Sequence, residues 1–471
     1  MRRRRAILAC SITVAWLLPA AGCGPRPSRQ PNLILLLIDT LRADHLGAYG
    51  FPADVSPNLD RLAAESLVFE SCFAQAPWTP PSIATLFTSL HPEVHGLNRF
   101  ADHRFADPGG GAPRVAVLPE SASTLAESLR AAGYTTAGFV GNPWLDRTLG
   151  LAQGFDVYED RDLSNRVPAT LLLLAARDWL HTRPSGAPFF LYLHLMDVHE
   201  PYDAPQEDFD ALWPALEAPA GRVLGPAELP PDAMDPPGLR PADDRRNRLD
   251  YWRTRYAAGV RALDRRLGTF LDELRESGLL DRSYLVLTSD HGEELFEHAG
   301  WGHGESLHEH QLRVPLLVRP PSGVGGGRLV REPAGLVDLM PTLLSVLEVD
   351  APPALQGTDR SAVLAAGAGE ARPSVFFSTA VVDRPGLHAL RSPRFKLIVD
   401  FETDEVALYD VVADPGEHEN LAAAEGETVA ELRALLSAHL AASAGAATPE
   451  RRDAEVPPEV LERLRGLGYL D

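Results

Sequence analysis

The sequence contains very little cysteine, which excludes two classes of small-domain architecture. Only Cys10, Cys23 and Cys72 occur among 471 residues, too few for a disulfide scaffold or a zinc ribbon. The first two lie close to the N-terminus, so Cys72 is the only thiol of the folded body if that segment is removed or lipidated. The lack of disulfides therefore does not argue for a cytoplasmic protein.

Positive charge is also scarce. The chain has 44 lysine and arginine residues against 65 aspartate and glutamate residues, which gives a formal net charge of −21. Such a chain repels phosphate backbones, so nucleic acid is excluded as a partner. Apolar residues make up 45% and charged residues 23%, as in ordinary globular proteins. The length predicts two or three structural units.

The N-terminus has the order of regions found in an export signal. Four arginines at 2–5 precede an apolar run at 6–21, which is shorter than the roughly 20 residues of a membrane span. Small residues then lead to Cys23, and residues 20–23 (Ala-Ala-Gly-Cys) resemble a bacterial lipobox. We predict an exported lipoprotein, in the periplasm or at the cell surface, whose lipidated Cys23 contacts the membrane. The alternative is a plain secretory signal cut nearby.

Alternating strand and helix signals predict an α/β fold. Residues 33–38 form an unbroken apolar run, which is typical of a strand covered on both faces of a parallel sheet. Between 249 and 274 apolar residues recur every three or four positions, which predicts a long helix packed on that sheet. Another strand is expected at 284–288. We therefore predict a large, mostly parallel sheet sandwiched by helices.

Beyond residue 325 the pattern of apolar residues changes to short alternating stretches, which predicts a second, smaller domain. Alternating stretches such as 395–399 indicate an antiparallel sheet, and a helix is expected at about 427–442. The predicted units are a signal peptide at 1–23, a catalytic α/β domain at 31–325, a C-terminal α+β domain at 366–446 and a tail at 447–471. A main fold that continues to about 365 is the alternative. The proline-rich insertion 205–246 either covers the active site or forms a solvated loop.

Polar side chains follow three of the predicted strands. Asp39 comes directly after the first apolar run, His199 follows the run 189–196, and Asp290 and His291 follow the strand after the long helix. Ligands bind at the carboxyl ends of strands in open α/β sheets. Each residue alone is more often a cap or turn residue. Two aspartates and two histidines at one edge together indicate a metal site.

Two helix N-termini are predicted from prolines at the first helical positions. Ser56 precedes Pro57 and is the expected N-cap of an early helix. Thr79 precedes two prolines, so it lies where free N–H groups and the positive end of the helix favour an anion. A threonine in such a place is more commonly only an N-cap. The spacing alone leaves both roles of Thr79 open.

Several motifs, in this order along nearly the whole mature chain, resemble the sulfatase family of the alkaline phosphatase superfamily. The resemblance implies a large α/β domain, a smaller C-terminal domain and one divalent metal beside a covalent nucleophile. It covers residues 39–50, 78–86, 199–202, 289–293, 302–304, 313–316, 338–342, 408–410 and 414–415.

The resemblance also implies roles for individual residues. Asp39, Asp290 and His291 match metal ligands, and Thr79 matches a nucleophile that also contacts the metal. His199 and His303 match catalytic positions that contact the transferred group or the leaving oxygen, and Asn142 lies in a loop of substrate-binding residues. Two carboxylates with an imidazole favour Zn²⁺ or Mn²⁺ as cofactor. Ca²⁺ is the alternative, although it prefers more oxygen ligands.

The nucleophile segment departs from formylglycine-dependent sulfatases. Those enzymes mature the first residue of Cys/Ser-x-Pro-x-Arg, whereas residues 79–83 here are Thr-Pro-Pro-Ser-Ile. No formylglycine is therefore expected. A formylglycine hydrate expels sulfate by collapsing to the aldehyde, and a threonine sulfate ester has no such exit. The departure favours phosphoryl over sulfuryl transfer.

These observations predict a metal-dependent hydrolase of anionic esters with a threonine nucleophile. Phosphate and phosphonate esters are favoured over sulfate esters. One alternative is a phosphoryl transferase that modifies lipid or glycan head groups, and another is a non-catalytic lipoprotein scaffold. The joint presence of Asp39, Thr79, Asp290 and His291 argues against the scaffold, because a site without activity has no physical need for them.

The predicted lipid anchor is tested by Cys23→Ser. Wild-type protein should partition with membranes, and the variant should move to the soluble or unprocessed fraction because its thiol acceptor is gone. One acyl chain binds only marginally, so stable anchoring requires more than one. Fractionation and mass spectrometry of the mature N-terminus provide the measurement. An unmodified N-terminus downstream of Cys23 would show that the protein is not a lipoprotein.

Overall fold

The computed structural model describes most of the chain from residue 30 onward. The described residues are 30–97, 114–160, 167–217, 222–224, 228–229, 248–366, 374–379, 384, 386–446, 452–455, 457–458 and 460–462. The predicted signal peptide with Cys23 lies outside them. Among the described helices, none is long and apolar enough to cross a membrane.

Helices and strands alternate through the first two thirds of the described chain. The helices are α1 (Pro57–Ala64), α2 (Thr79–Thr88), α3 (Pro92–His95), α4 (Leu125–Ala131), α5 (Ala169–Thr182), α6 (Gln206–Leu216), α7 (Leu249–Glu276), α8 (Glu309–Leu312), α9 (Leu339–Val346), α10 (Ser361–Ala366) and α11 (Gly426–Gly445). The strands are β1 (Asn32–Ile38), β2 (Leu67–Phe73), β3 (Arg114–Val117), β4 (Thr135–Val140), β5 (Val157–Glu159), β6 (Phe189–Leu195), β7 (Ser283–Thr288), β8 (Glu294–Leu295), β9 (Trp301–Gly302), β10 (Arg313–Arg319), β11 (Arg328–Val330), β12 (Ala334–Gly335), β13 (Phe376–Thr379), β14 (Leu387–Arg391), β15 (Phe395–Asp400), β16 (Val406–Asp410) and β17 (Arg452–Glu455).

A large, mostly parallel sheet organises the fold. Its strand order is β11-β2-β10-β7-β1-β6-β4-β5, with β12 paired to β2, and β10 runs antiparallel to both of its neighbours. Strand β1 is central and parallel to β6 and β7. All seven of its residues are buried, and its side chains alternate between two hydrophobic cores, one on each face of the sheet. The predicted α/β fold class is confirmed.

A four-stranded antiparallel sheet, β13-β14-β15-β16, forms the smaller C-terminal part. Helix α11 packs its leucines on this sheet through Leu432 and Leu436. Strands β11 and β12 lie beyond residue 325 but belong to the large sheet, and β17 of the tail pairs with β3. The predicted domain boundaries remain a prediction.

The first part of the insertion 205–246 is helical. Helix α6 packs on α7, with Phe209 and Trp213 in the core that lies on the α7 side of the sheet. Residues 206–216 of the insertion therefore form a regular helix, with Pro214 inside it. Most of the insertion after residue 217 lies outside the described residues.

Helix α1 is capped from α7 and not by Ser56. The Ser56 side chain makes no capping bond to the helix. Instead, the carboxylate of Asp264 accepts the N–H groups of Asn58 and Leu59 at 3.1 and 2.8 Å. Ser56 occupies the predicted N-cap position and Pro57 the first helical position, but the side chain that accepts the free N–H groups is that of Asp264 on the neighbouring helix.

This tertiary cap generates a prediction for stability. Asp264→Ala leaves two N–H groups of α1 without a partner, so it should lower the free energy of unfolding by about 2 kcal/mol, measured by urea denaturation. Asp272→Ala on the same helix is the matched control. The Asp272 side chain is 51% exposed and pairs with Arg61, so its loss should cost less than about 1 kcal/mol. Equal destabilisation by the two variants would argue against the cap.

Candidate active site

Three neighbouring parallel strands bring their polar residues to one edge of the large sheet. Asp39 follows β1, Asp290 lies two residues after β7, and His194 is the penultimate residue of β6. Strand β1 lies between the other two, and the three strands end side by side, with Ile38 opposite Leu195 and Leu37 opposite Thr288. The carboxyl ends of parallel strands meet at one edge, so these side chains converge. The strand ends that meet are far apart in the chain: Thr40, next to Asp39, contacts Asp290 across 250 positions.

The converging side chains form a buried cluster of two carboxylates and two imidazoles. His194 Nε2 lies 3.7 Å from Oδ2 of both Asp39 and Asp290. His291 Nε2 lies 3.5 Å from Asp290 Oδ2 and 3.7 Å from Asp39 Oδ1. All four side chains are fully buried. The structure thus brings together Asp39, Asp290 and His291, the residues predicted to bind metal, and adds His194.

Several polar atoms of this cluster lack a hydrogen-bond partner among the described residues. They are Asp39 Oδ1, Asp290 Oδ2 and both ring nitrogens of His194. A buried carboxylate without a partner costs several kcal/mol, on the order of 3 or more, unless a cation compensates it. Oxygen and nitrogen donors that converge in this way fit a divalent metal ion.

The two carboxylates have different proton affinities. Burial and the neighbouring Asp290 raise the pKa of Asp39 well above its usual range. Burial alone would raise the pKa of Asp290 too, but the imidazoles of His291 and His194 hold it below its ordinary value. Burial lowers the pKa of His291 to about 4, so this ring is neutral at physiological pH and its nitrogen is available as a ligand. A bound cation would favour the ionised form of Asp39, which burial and Asp290 disfavour.

Thr79 is the first residue of α2, and its hydroxyl faces the cluster. The N-cap is Trp78, and no side chain caps the helix. Thr79 Oγ1 lies 3.3 Å from His291 Nε2 and 3.5 Å from Asp39 Oδ2. Of the two roles that the sequence left open, the N-cap role therefore does not occur. Ser82 on the next turn donates to the Asp290 carbonyl at 2.6 Å, which holds α2 against the end of β7.

Asn142 positions both the carboxylate and the hydroxyl. Its Nδ2 donates to Asp39 Oδ2 at 2.7 Å and to Thr79 Oγ1 at 3.3 Å. The Trp144 N–H donates to Asn142 Oδ1 at 2.9 Å, which fixes the orientation of the amide. This side chain therefore contacts the two residues at the centre of the site, and its predicted contact with substrate remains a prediction.

His199 and His303 form a second row of imidazoles beside His291. The His303 ring centroid lies 4.3 Å from that of His291 and 5.0 Å from that of His199. His199 donates from Nδ1 to the Glu200 carbonyl at 2.9 Å. The sequence predicted both residues for this site, and the structure places them there.

A buried glutamate contacts the outer histidine row. His303 Nδ1 lies 2.9 Å from Glu293 Oε1. Burial raises the pKa of Glu293 to about 8 and lowers that of His303 to about 4. At neutral pH burial therefore favours a protonated Glu293 carboxyl beside a neutral His303 ring.

Sequence reasoning missed two residues of the site, His194 and Glu293. His194 was treated as part of an apolar strand, although an imidazole inside a strand buried on both faces is itself a signal, because such a group needs a partner. Glu293 follows the predicted ligand His291 by two residues and carried no separate signal. Asp197 also follows β6 but pairs with Arg266, so it does not belong to the cluster.

Family models match both parts of the chain. The Sulfatase family model matches residues 31–349. A model described as the C-terminal part of N-sulphoglucosamine sulphohydrolase matches residues 297–444.

Curated relatives cover most of this chain. Human arylsulfatase A is 26% identical over 440 residues, which are 85% of this chain and 81% of the relative. An arylsulfatase of Clostridium perfringens is 23% identical over 394 residues, which are 70% of this chain and 77% of the relative.

Solved structures share the fold. One, described as a complex with its substrate D-glucosamine-2-N,6-O-disulfate, has a TM-score of 0.71 at 22% identity and covers 90% of this chain and 100% of its own. The phosphonate monoester hydrolase of Agrobacterium radiobacter has a TM-score of 0.65 at 22% identity, and the match covers 88% of this chain and 96% of the hydrolase. The Sulfatase model spans well over half of the chain, and the fold and the convergent site agree with it. The chain therefore belongs to the sulfatase family and is an ester hydrolase of that family.

Proposed function

We propose that this protein is a metal-dependent hydrolase of phosphate or phosphonate esters that uses Thr79 as its nucleophile. The supporting observation is the placement of the Thr79 hydroxyl at the buried cluster, 3.3 Å from His291 Nε2 and 3.5 Å from Asp39 Oδ2. Formylglycine-dependent sulfatases carry a matured cysteine or serine in this place. Neither residue is present here, and Ile83 replaces the arginine of the maturation motif.

A threonine nucleophile suits phosphorus chemistry because the intermediate can be hydrolysed directly. Thr79 Oγ forms a bond to phosphorus while the bond from phosphorus to the leaving oxygen breaks. Water then attacks phosphorus, the Oγ–P bond breaks, and the hydroxyl of Thr79 is restored as the acid product leaves. The corresponding threonine sulfate ester cannot expel sulfate by forming an aldehyde.

The contacts of Thr79 orient it for attack. Asn142 Nδ2 donates to Thr79 Oγ1 at 3.3 Å, so the hydroxyl's own proton points toward Asp39 or His291, the acceptors within 3.5 Å. Asp39, Thr79, Asp290 and His291 would hold the metal, with His194 beside them. A divalent cation there lowers the pKa of a bound hydroxyl and neutralises charge on the substrate oxygens.

The outer imidazoles are placed to supply a proton to the leaving oxygen. In the proposed tautomer the Glu293 carboxyl donates to His303 Nδ1, so that His303 Nε2 can give its proton to the leaving oxygen while the Glu293 proton moves to Nδ1. His199 lies beside it, with ring centroids 5.0 Å apart. General acid catalysis of this kind contributes typically about 10²- to 10⁴-fold in rate.

Sulfate esters are the second candidate substrates, because the curated relatives are named sulfatases. Phosphonate monoester hydrolases among the similar structures support the first candidate, with TM-scores of 0.65 and 0.67. A parallel assay on aryl phosphate, phosphonate and sulfate esters, after metal depletion and after metal restoration, separates the two. Turnover of the sulfate ester alone would contradict the proposal.

We further propose that the enzyme acts outside the cytoplasm and is anchored through Cys23. The support is the order of arginines, apolar run and small residues before Cys23. Its anionic ester substrate would then be extracytoplasmic.

The proposed metal is Zn²⁺ or Mn²⁺, since imidazole nitrogens contribute to the cluster. Elemental analysis of protein purified without added metal should find one of these ions, and Asp290→Asn should lose one equivalent because a buried ligand charge is removed. Asp197→Asn is the matched control, since the carboxylate of Asp197 follows β6 but pairs with Arg266, and it should retain the metal. Stoichiometric calcium alone would contradict the proposed metal identity.

The nucleophile is tested by Thr79→Ala, which should reduce kcat about a thousandfold, or about 4 kcal/mol of transition-state stabilisation. Thermal unfolding should change little, because the hydroxyl does not cap α2. Thr88→Ala on the same helix is the matched control. In the described structure the buried Thr88 hydroxyl donates to the Ala84 carbonyl at 2.7 Å and accepts the Leu90 N–H at 3.3 Å, and it makes no contact with the cluster.

Initial rate and unfolding temperature are measured on the same samples of both variants. Thr88→Ala should lose some stability and keep its turnover. A fully active Thr79→Ala enzyme would exclude Thr79 as the nucleophile, and with it the preference for phosphorus over sulfur.

A further inference from the structure

A second cluster of metal-binding residue types lies outside the active site, between helices α3 and α11. His91, Glu93 and His439 each bring a ligand atom to within 4.8 Å of the others. His91 and Glu93 belong to the segment that follows the nucleophile helix α2, and His439 belongs to the C-terminal helix α11. Residues from the two parts of the chain thus meet at one place.

Each member of the cluster has a buried atom without a hydrogen-bond partner among the described residues. These atoms are His91 Nδ1, Glu93 Oε2 and His439 Nε2. His91 is only 8% exposed. Buried polar atoms are normally paired, so three orphans in one cluster require an explanation. A single cation that binds all three atoms provides one.

The surroundings hold the three side chains in place. The His439 ring stacks on Phe377 with centroids 3.8 Å apart and an interplanar angle of 4°. The backbone N–H of His91 donates to Gln356 Oε1 at 2.7 Å. His388 Nδ1 lies 3.7 Å from the other carboxylate oxygen of Glu93, Oε1, and so leaves Oε2 to the cluster.

The protonation states suit metal binding. Burial lowers the pKa of His91 to about 4, and it also lowers the pKa of His439. Burial opposes ionisation of Glu93, but His388 and His91 bring its pKa to about 2. Two neutral imidazoles and one carboxylate are therefore present at neutral pH, and no proton needs to leave before a metal binds.

We propose that His91, Glu93 and His439 form a second divalent-metal site, suited to Zn²⁺, that ties α11 to the segment following α2. Two imidazoles and a carboxylate are a known protein ligand set for Zn²⁺, with water in the fourth position. The ion crosslinks the C-terminal helix to α3 and its N-cap residue, which follow the helix that carries Thr79. This inference does not rest on the proposed function, because none of its residues belongs to the active-site cluster.

The experiment removes the active-site carboxylates from the parent and then compares zinc binding with and without His439. The full chain carrying Asp39→Asn and Asp290→Asn serves as the parent, is stripped with a chelator and is then equilibrated with Zn²⁺ alone. Bound zinc is counted by elemental analysis across a range of free Zn²⁺. Adding His439→Ala should remove one zinc equivalent, or weaken its binding at least a hundredfold, relative to this parent.

A matched control and a conservative variant complete the test. His181→Ala replaces an exposed histidine at the end of α5 and should bind as much zinc as the parent. His439→Gln keeps a planar polar side chain beside Phe377 and should also lose the equivalent. Zinc should raise the unfolding temperature of the parent more than that of either His439 variant.

Two outcomes would overturn the inference. One is a parent that binds no zinc, and the other is equal zinc binding by the parent and the His439 variants. If both His439 variants fail to fold by circular dichroism, Glu93→Gln provides the same readout, since it keeps the shape and removes the ligand charge. Its affinity for zinc should fall at least tenfold, and an unchanged affinity would overturn the site.

Discussion

The structure depends on one electrostatic constraint, the burial of two carboxylates at adjacent strand ends. Asp39 and Asp290 are fully buried, and each has an oxygen without a hydrogen-bond partner in the described residues. Such a pair is unfavourable without a counter-charge, because two ionised carboxylates repel each other at low dielectric. The pKa of Asp39 is raised for the same reason, because burial and the neighbouring Asp290 both disfavour a negative charge on it. A cation resolves it, and the neighbouring groups are arranged accordingly.

The rest of the site is layered around that pair. His194 and His291 bring imidazole nitrogens to the pair, while the Asn142 amide donates to both Asp39 and the Thr79 hydroxyl. Farther from the carboxylates, His303 and Glu293 share a proton in a buried contact of 2.9 Å. The imidazoles proposed to lie at the metal, His194 and His291, are therefore different from the imidazole proposed to donate a proton, His303. The metal and the transferred proton do not compete for the same ring nitrogen.

The C-terminal part is joined to the catalytic part by buried polar contacts as well as by apolar packing. Lys396 on β15 pairs with Glu417 at 2.8 Å, and the Glu417 carboxylate also accepts the N–H of Glu309 on α8. The cluster of His91, Glu93 and His439 lies at another point of contact between the two parts. Polar groups desolvated in this way require defined partners, so they fix how the two parts sit against each other.

The sequence by itself determined the α/β class and much of the active site. The apolar run of β1 and the spacing of α7 reflect burial, which is periodic along the chain and therefore visible in sequence. The order of the motifs predicted a shared site for Asp39, Thr79, Asp290 and His291, and their roles there are proposals. Only the tertiary structure decided that His194 joins them, that Asp264 caps α1 and that His439 meets His91. Those contacts join residues far apart in the chain, so strand register and helix packing decide which partner each residue meets.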